Sequence, residues 1–349
     1  MKNLDLEKIV ENPFVIYGAQ VVAYGAYRAI SELYSAKPEC FLVSSQKNNP
    51  FEIDGIKVKT PKNIDKGITV LVCVTELLQD EIETYLINMG FENVIRLTRD
   101  LEYELMSLYF AKDDRFPVAE AKGNNDVNFL LYEVRNHRDK PLRHTPKLQH
   151  FEKSLQAGAD LTDLRIGYFT DNTGNNISAK NKQYCEMTGT YWVWKNTKSA
   201  WKGIEHYRRH LLVVPEMLSD EIDAILPLPY ICYPNTVTQF RRFVSEEVLE
   251  CLLKALRDLH RDKYDDYHKI LYGEFQYTYN LVIAKEKVFN DYCSWFFEIT
   301  EYMEAMSDKT PEILETRALS YAAEVLTNLY FMYNSNRLNI RHAKKAIYV

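Results

Sequence analysis

"FVIYGAQVVAYGAYRAISELY", residues 14–34, decides the fold class: a short apolar run, a turn at Gly18, and then apolar positions at helical spacing with small residues in the first turn. A strand feeding a helix through a glycine turn opens a β-turn-α unit. The pattern recurs along the chain. "CFLVSS" (40–45), "ITVLVCVT" (68–75) and "NVIRLT" (93–98) read as strands, and "ELLQDEIETYLINMG" (76–90) as a helix capped by Gly90. Strands alternating with helices predict an α/β protein whose residues 1–112 form a small doubly wound, Rossmann-like domain. Its dinucleotide fingerprint is incomplete, because Gln20 stands where a second glycine would let the backbone approach a pyrophosphate. That argues against an NAD(P)-dependent oxidoreductase or epimerase; the module reads as one for docking or scaffolding, with a bound nucleotide as the alternative.

The chain has 349 residues, enough for two domains each with its own core. A net charge of -6 excludes a nucleic-acid partner that depends on a global basic field, while local clusters can still grip phosphates. The 6 cysteines form no C-x-x-C pair and no apolar signal segment precedes Asn12, which predicts a cytoplasmic protein without a zinc motif. The 25 tyrosines suit carbohydrate or interface surfaces, since the ring stacks while the hydroxyl hydrogen-bonds, and they serve equally as core filler.

"AKDDRFPVAEAKGNND" (111–126), with Pro117 and Gly123, reads as a linker over 113–125, followed by a second domain over 126–349. "VNFLLYEVRNHRDKPLR" (127–143) is a strand ending in a polar loop with His137, Arg138, Asp139 and Lys140, where an α/β fold places its ligands. "LRIGYFTDNTGNNIS" (164–178) delivers Asp171, Asn172, Asn175 and Asn176 around Gly174; such a loop suits a ribose or a base edge, and is also ordinary turn chemistry. In the helix expected next, Tyr184, Met187, Thr188, Tyr191 and Trp194 share one face that reads as core, with Trp192 on another side. Lys195 offsets the helix dipole or reaches a phosphate. "AWKGIEHYRRHLLVVP" (200–215) ends an apolar strand in Glu205, His206, Arg208 and Arg209, whose guanidinium forks match phosphate oxygens. The closing "RLNIRHAKKAIYV" (337–349) reads as a solvated terminal helix, with contact to anionic lipid headgroups as the alternative.

"DNTGNNISAKNKQYCEMTGTYWVWKN" (171–196), "GIEHYRRHL" (203–211), "DAILPLP" (223–229), "YNLVIAKEKVFNDYCSWFFEI" (279–299) and "ETRALSYAAEVL" (315–326) follow one another in the order that resembles the DUF4422 family. "LYEVRNHRDKP" and "QAGA" at Gln156 are similar to the family's opening strand and the helix after it. Members of that family look like glycosyltransferases of capsular and exopolysaccharide or O-antigen synthesis. The resemblance implies a GT-A-like domain that takes a nucleotide-sugar, with a UDP-sugar such as galactose in pyranose or furanose form favoured. It implies a glycan acceptor, lipid-linked, at the inner face of the cytoplasmic membrane. Asp171, Asn172 and Asn176, with His137 and Lys195, would hold the donor; Glu186, Trp192, Trp194 and Lys195 would back the site. Asn280, Trp192 and Arg317 would face the acceptor, and Arg317 and Glu324 would close the pocket. Asn175, Glu205 and His210 depart from the family's usual residues.

The Asp-x-Asp metal motif common in GT-A enzymes is absent after "AWKGI", where His206, Arg208 and Arg209 stand instead. The expectation is that the arginines stabilise a leaving diphosphate, with or without a divalent Mn or Mg held by His206 and Glu205. Candidates for the general base are Glu205, His206 and Glu324, then Asp171. The alternative is a non-catalytic glycan-binding or scaffold protein.

Overall fold

A computed structural model describes residues 6–122 and 127–348; Gly123, in the expected linker, lies outside them. The chain divides into one compact unit formed by Met1–Asp114 with Tyr230–Pro234 and a second formed by Arg115–Pro229 with Asn235–Val349. Within the second, Val118 bridges His342, so part of the segment expected as a linker is paired to a sheet.

The first unit holds β1 (Phe14–Tyr17), α1 (Val21–Tyr34), β2 (Phe41–Leu42), β3 (Glu52–Ile53), β4 (Ile56–Lys59), β5 (Thr69–Val72), α2 (Glu76–Asn88), β6 (Asn93–Arg96) and α3 (Arg99–Phe110). The sheet order is β3-β4-β2-β1-β5-β6, parallel except at the β3–β4 edge. Gly18 joins β1 to α1 at φ +126°, and a Cβ there would lie 2.5 Å from the Cys73 carbonyl oxygen, so the turn admits only glycine. Gln20 opens α1 and donates to Asn49 Oδ1 at 2.9 Å.

The second unit is built on a sheet of nine strands among the described residues. One half of it is β10 (Trp201–His206), β7 (Phe129–Arg135), β8 (Glu152–Gln156) and, at the edge, β9 (Phe169–Thr170), all parallel. "QAGA", expected to belong to a helix, instead begins with the last residue of strand β8 and ends in the short 3-10 turn Ala159–Leu161. Beyond β10 come β11 (Arg209–Leu211), β12 (Ala224–Pro227), β13 (Val282–Lys285), β14 (Ile340–Ala343) and β15 (Lys345–Ile347). The last two replace the expected terminal helix: β14 pairs with β12, and β15 with β11. Ile340, His342 and Ala343 are buried in β14, a strand that forms once a neighbouring edge is available.

Side chains alternate strictly across this sheet. Tyr132, Val134, Ile204, Val282 and Ala284 face a large core shared with the helices Glu246–Leu259 (α5), Glu286–Ala305 (α6) and Ala318–Tyr333 (α7). Phe129, Leu131, Trp201, Ile283 and Ile225 face a smaller core on the other side. Gly203 keeps strands β7 and β13 close, since a Cβ there would sit 2.6 Å from Leu131 Cδ1 and 2.7 Å from Ile283 Cγ1. The aromatic helix expected around 184–195 is two pieces, Asn181–Tyr184 and Met187–Asn196 (α4), broken at Cys185 with φ +49°. Among the described residues no helix is long and apolar enough to cross a membrane.

Candidate functional site

A cavity of about 280 Å³ opens at the carboxyl ends of β7 and β10, where an α/β sheet offers its ligands. Val134, Arg135, Asn136, Arg138 and Asp139 line it from the end of β7 and its loop, and His206 from the end of β10. Asn181, Lys182, Cys185 and Glu186 line it from the broken helix, and Arg317 from the start of α7. Of these, Arg135, Asn136, Asn181, Lys182 and Cys185 escaped the sequence reading, because a polar residue's type carries no mark of what it faces.

The lining is held by a connected set of hydrogen bonds. Asn136 donates from Nδ2 to Asn181 Oδ1 (2.9 Å) and to the Ala157 carbonyl (2.9 Å), and its backbone N–H donates to Asp139 Oδ2 (2.7 Å). Asn181 Nδ2 donates to the Cys185 carbonyl at 2.6 Å, which braces the left-handed backbone at that residue. Such strain persists only where the surroundings over-determine it, and here it turns Cys185 and Glu186 into the cavity. Arg317 Nε donates to Cys185 Sγ at 3.1 Å. Behind Glu186 runs a relay of neutral groups: Asn280 Nδ2 donates to Glu186 Oε1 (3.0 Å), Thr327 donates to Asn280 Oδ1 (2.9 Å), and Tyr292 lies 2.7 Å from Thr327. Asn280 itself has φ +53° and Tyr279 φ +71°, a second strained pair next to the site.

Electrostatics sets the protonation states. Burial, reinforced by the charges of Arg209, Arg208, Arg317 and His210, pushes His206 down to about 3, so it is neutral at physiological pH. Its Nδ1 is buried without a hydrogen-bond partner. Burial also raises Asp139 to about 6, against the pull of the Asn136 N–H, Arg208 and Arg135. Glu324, half-buried on α7, is raised to about 7 by burial first and by the charge of Glu186 second, with Arg209, the Tyr279 backbone and Arg317 opposing. Arg209 stacks 4.1 Å from the Tyr279 ring centroid. The arginines, the neutral imidazole and two carboxyls near neutrality thus share one neighbourhood, suited to binding an anion and moving a proton.

Several residues expected at the site do other work. Asp171 is fully buried and accepts from the backbone N–H groups of Gly158 (2.8 Å) and Ala159 (3.0 Å) and from Ser178 Oγ (2.5 Å). Asn176 bonds within its own loop, to the Gly174 carbonyl and the Ser178 N–H. Trp192 donates from Nε1 to Thr173 Oγ1 (2.9 Å), and Asn196 clasps the backbone of Asn175 from both sides. Gly174, at φ +57°, is required there because a Cβ would lie 2.1 Å from Asn196 Oδ1. These bonds fix the loop's backbone; Asp171, Asn172, Asn176, Trp192 and Lys195 are not among the residues lining the cavity, and neither are Arg208, Arg209, Asn280 and Glu324. Lys195 lies 3.2 Å from the Trp194 ring centroid. His137 follows Asn136 but does not line the cavity; its Nδ1 is buried without a partner.

The pair read as a metal site is split. Glu205 and His206 are consecutive on β10, so their side chains leave opposite faces of the sheet. His206 lines the cavity, whereas Glu205 is grouped with Glu152 and His210. The two do not fit a shared Mn or Mg.

The model of the family described as "Domain of unknown function (DUF4422)" matches residues 134–335. No curated protein matches the chain. Among solved structures, the chain is similar to the apo structure of WbbM, titled a bifunctional glycosyltransferase, with a TM-score of 0.55 and 22% identity over 63% of this chain. The similarity spans 45% of WbbM, and at that identity it shows a shared GT-A-like α/β fold. With more than half of its length matched by the family model, the chain belongs to the DUF4422 family.

Proposed function

We propose that the second unit is a glycosyltransferase that moves a sugar, most simply a hexose such as galactose from a UDP-sugar, to a hydroxyl of a glycan. The observation that carries this reading is the grouping of Arg208, Arg209 and Arg317 about a neutral His206, with Glu324 at a pKa of about 7 beside them. The fold shared with a protein titled a glycosyltransferase supports it. In the reaction, the bond from the anomeric carbon to the diphosphate breaks and a bond to the acceptor oxygen forms. The electron pair of the broken bond goes to the diphosphate, whose growing charge the guanidinium groups offset. Glu324 takes the proton of the acceptor hydroxyl, a task that fits a carboxyl titrating near neutrality. His206, uncharged, orients donor oxygens by hydrogen bonding, and Glu186 is positioned by Asn280 toward the sugar hydroxyls. The acceptor is a glycan on a lipid carrier of surface polysaccharide synthesis, met at the inner face of the membrane.

Calorimetric titration of the full chain with UDP, GDP, CMP and NAD(H), paired with transfer of labelled sugar, tests this. A nucleoside diphosphate should bind, and replacing Arg208 and Arg209 together by Ala should abolish transfer while the fold remains. Binding of NAD(H) alone, or turnover unchanged in the double variant, would overturn it.

A further inference from the structure

The face of the sheet opposite the cavity holds a second group of titratable side chains that sugar transfer does not use. Glu133 on β7, Glu152 on β8, Glu205 on β10 and His210 on β11 are brought together by register, with Glu133 paired to Glu205 and Leu131 to Glu152. Their relative exposures are 1%, 8%, 1% and 3%. One ligand atom each from Glu152, Glu205 and His210 falls within 4.8 Å of the others, and His210 Nδ1 is 3.2 Å from Glu205 Oε1.

These groups are short of partners and of positive charge. Neither oxygen of Glu205 reaches a hydrogen-bond donor in good geometry, and His210 Nε2 has no partner. Buried polar atoms in folded proteins are nearly always partnered, so an orphaned carboxylate points to a missing ligand. Arg135 is bonded to both oxygens of Glu133, and Glu152 Oε2 accepts from the Gln149 N–H at 2.6 Å.

We infer that Glu152, Glu205 and His210 form a buried site for a divalent cation of the zinc class, distinct from the cavity and independent of the transferase reading. Two carboxylates and an imidazole are a nitrogen–oxygen donor set that suits Zn²⁺, with Mn²⁺ as the harder competitor. Ligands at about 2.0–2.1 Å around a tetrahedral ion stand about 3.3 Å apart, which fits within the 4.8 Å that already spans one ligand atom from each of the three residues. The Tyr348 ring, 5.1 Å from that of His210, lies beside it. The ion would tie β8, β10 and β11 together, and through the pairing of β11 with β15 would fasten the C-terminal strand.

The test is elemental analysis of the full chain after chelation, reconstitution with Zn²⁺ or Mn²⁺, and removal of excess metal. Close to one Zn²⁺ per chain is expected, with a rise in melting temperature over the chelated protein. Glu205→Gln should weaken binding by at least about tenfold, while His206→Ala, on the opposite face, should retain the metal. If Glu205→Gln does not fold, zinc-edge absorption of the wild type decides, since the site requires imidazole among nitrogen and oxygen neighbours. Retention of neither metal, a metal kept by Glu205→Gln but lost in His206→Ala, or an edge spectrum without imidazole would each overturn the inference.

Discussion

The two faces of the second unit's sheet differ although the same strands make both. On the cavity face, His206 and Val134 meet a polar pocket whose charges are balanced by several arginines, and its titrating groups are placed beside space that a substrate can enter. On the other face, Glu205 and Glu133 are enclosed beside an apolar core, with one guanidinium, that of Arg135, paired to Glu133. A one-residue step along β10 crosses from one regime to the other. Adjacent charged residues in a sequence therefore do not make a cluster unless the backbone is known not to be a strand.

Four substitutions would break or sharpen that contrast. The largest effect is expected on the cavity face, where Glu324→Gln removes the proposed base. Turnover should fall about 10²- to 10⁴-fold with little change in melting temperature. In the wild type, activity should rise with pH through about 7 as Glu324 loses its proton, and this limb should vanish in the variant. Equal rates with an unchanged pH profile would remove Glu324 from the chemistry.

Gly203→Val addresses the opposite face, because its side chain would meet Leu131 and Ile283 in the smaller core. Denaturant unfolding should show a loss of about 1–3 kcal/mol from overpacking. A variant as stable as the wild type would mean that this face is loosely packed. Asp171→Ala distinguishes a lock from a ligand contact. It orphans the Gly158 and Ala159 N–H groups and should cost about 1–3 kcal/mol of stability. Nucleotide affinity lost at full stability would instead restore Asp171 to the binding site.

The smallest effect concerns His206. Its folded pKa of about 3 lies below the ordinary 6.5, so between these values the unfolded chain binds the extra proton. Its contribution to stability is thus present above pH 6.5 and is lost as pH falls through that window. In His206→Gln the drop in melting temperature between pH 7 and pH 5 should shrink by about 1–3 °C. An unaltered drop would place His206 in a solvated, ordinary environment.

Much of the architecture was legible in local pattern. The strand–Gly18–helix opening and the strands ending at Arg135 and His206 have periodicities that any register preserves. Elements whose character depends on distant partners were misread. Glu152–Gln156 carries a strand only because β7 supplies an edge, and Ile340–Ala343 does so only because β12 supplies another. The break at Cys185 has no local signature, since a cysteine in a left-handed conformation is held by Asn181 rather than chosen by its own propensity.

The sequence by itself determined that the chain is α/β, that polar loops follow apolar strands, and that arginine and histidine concentrate at 206–209, because hydrophobic period and residue chemistry are local properties. Tertiary structure alone decided that Asp171 braces a loop, that Glu186 enters the cavity, and that Glu205 is parted from His206 to join Glu152 and His210. Which groups become neighbours is set by strand register and by the side of the sheet each faces, and those depend on pairings between residues far apart in the chain.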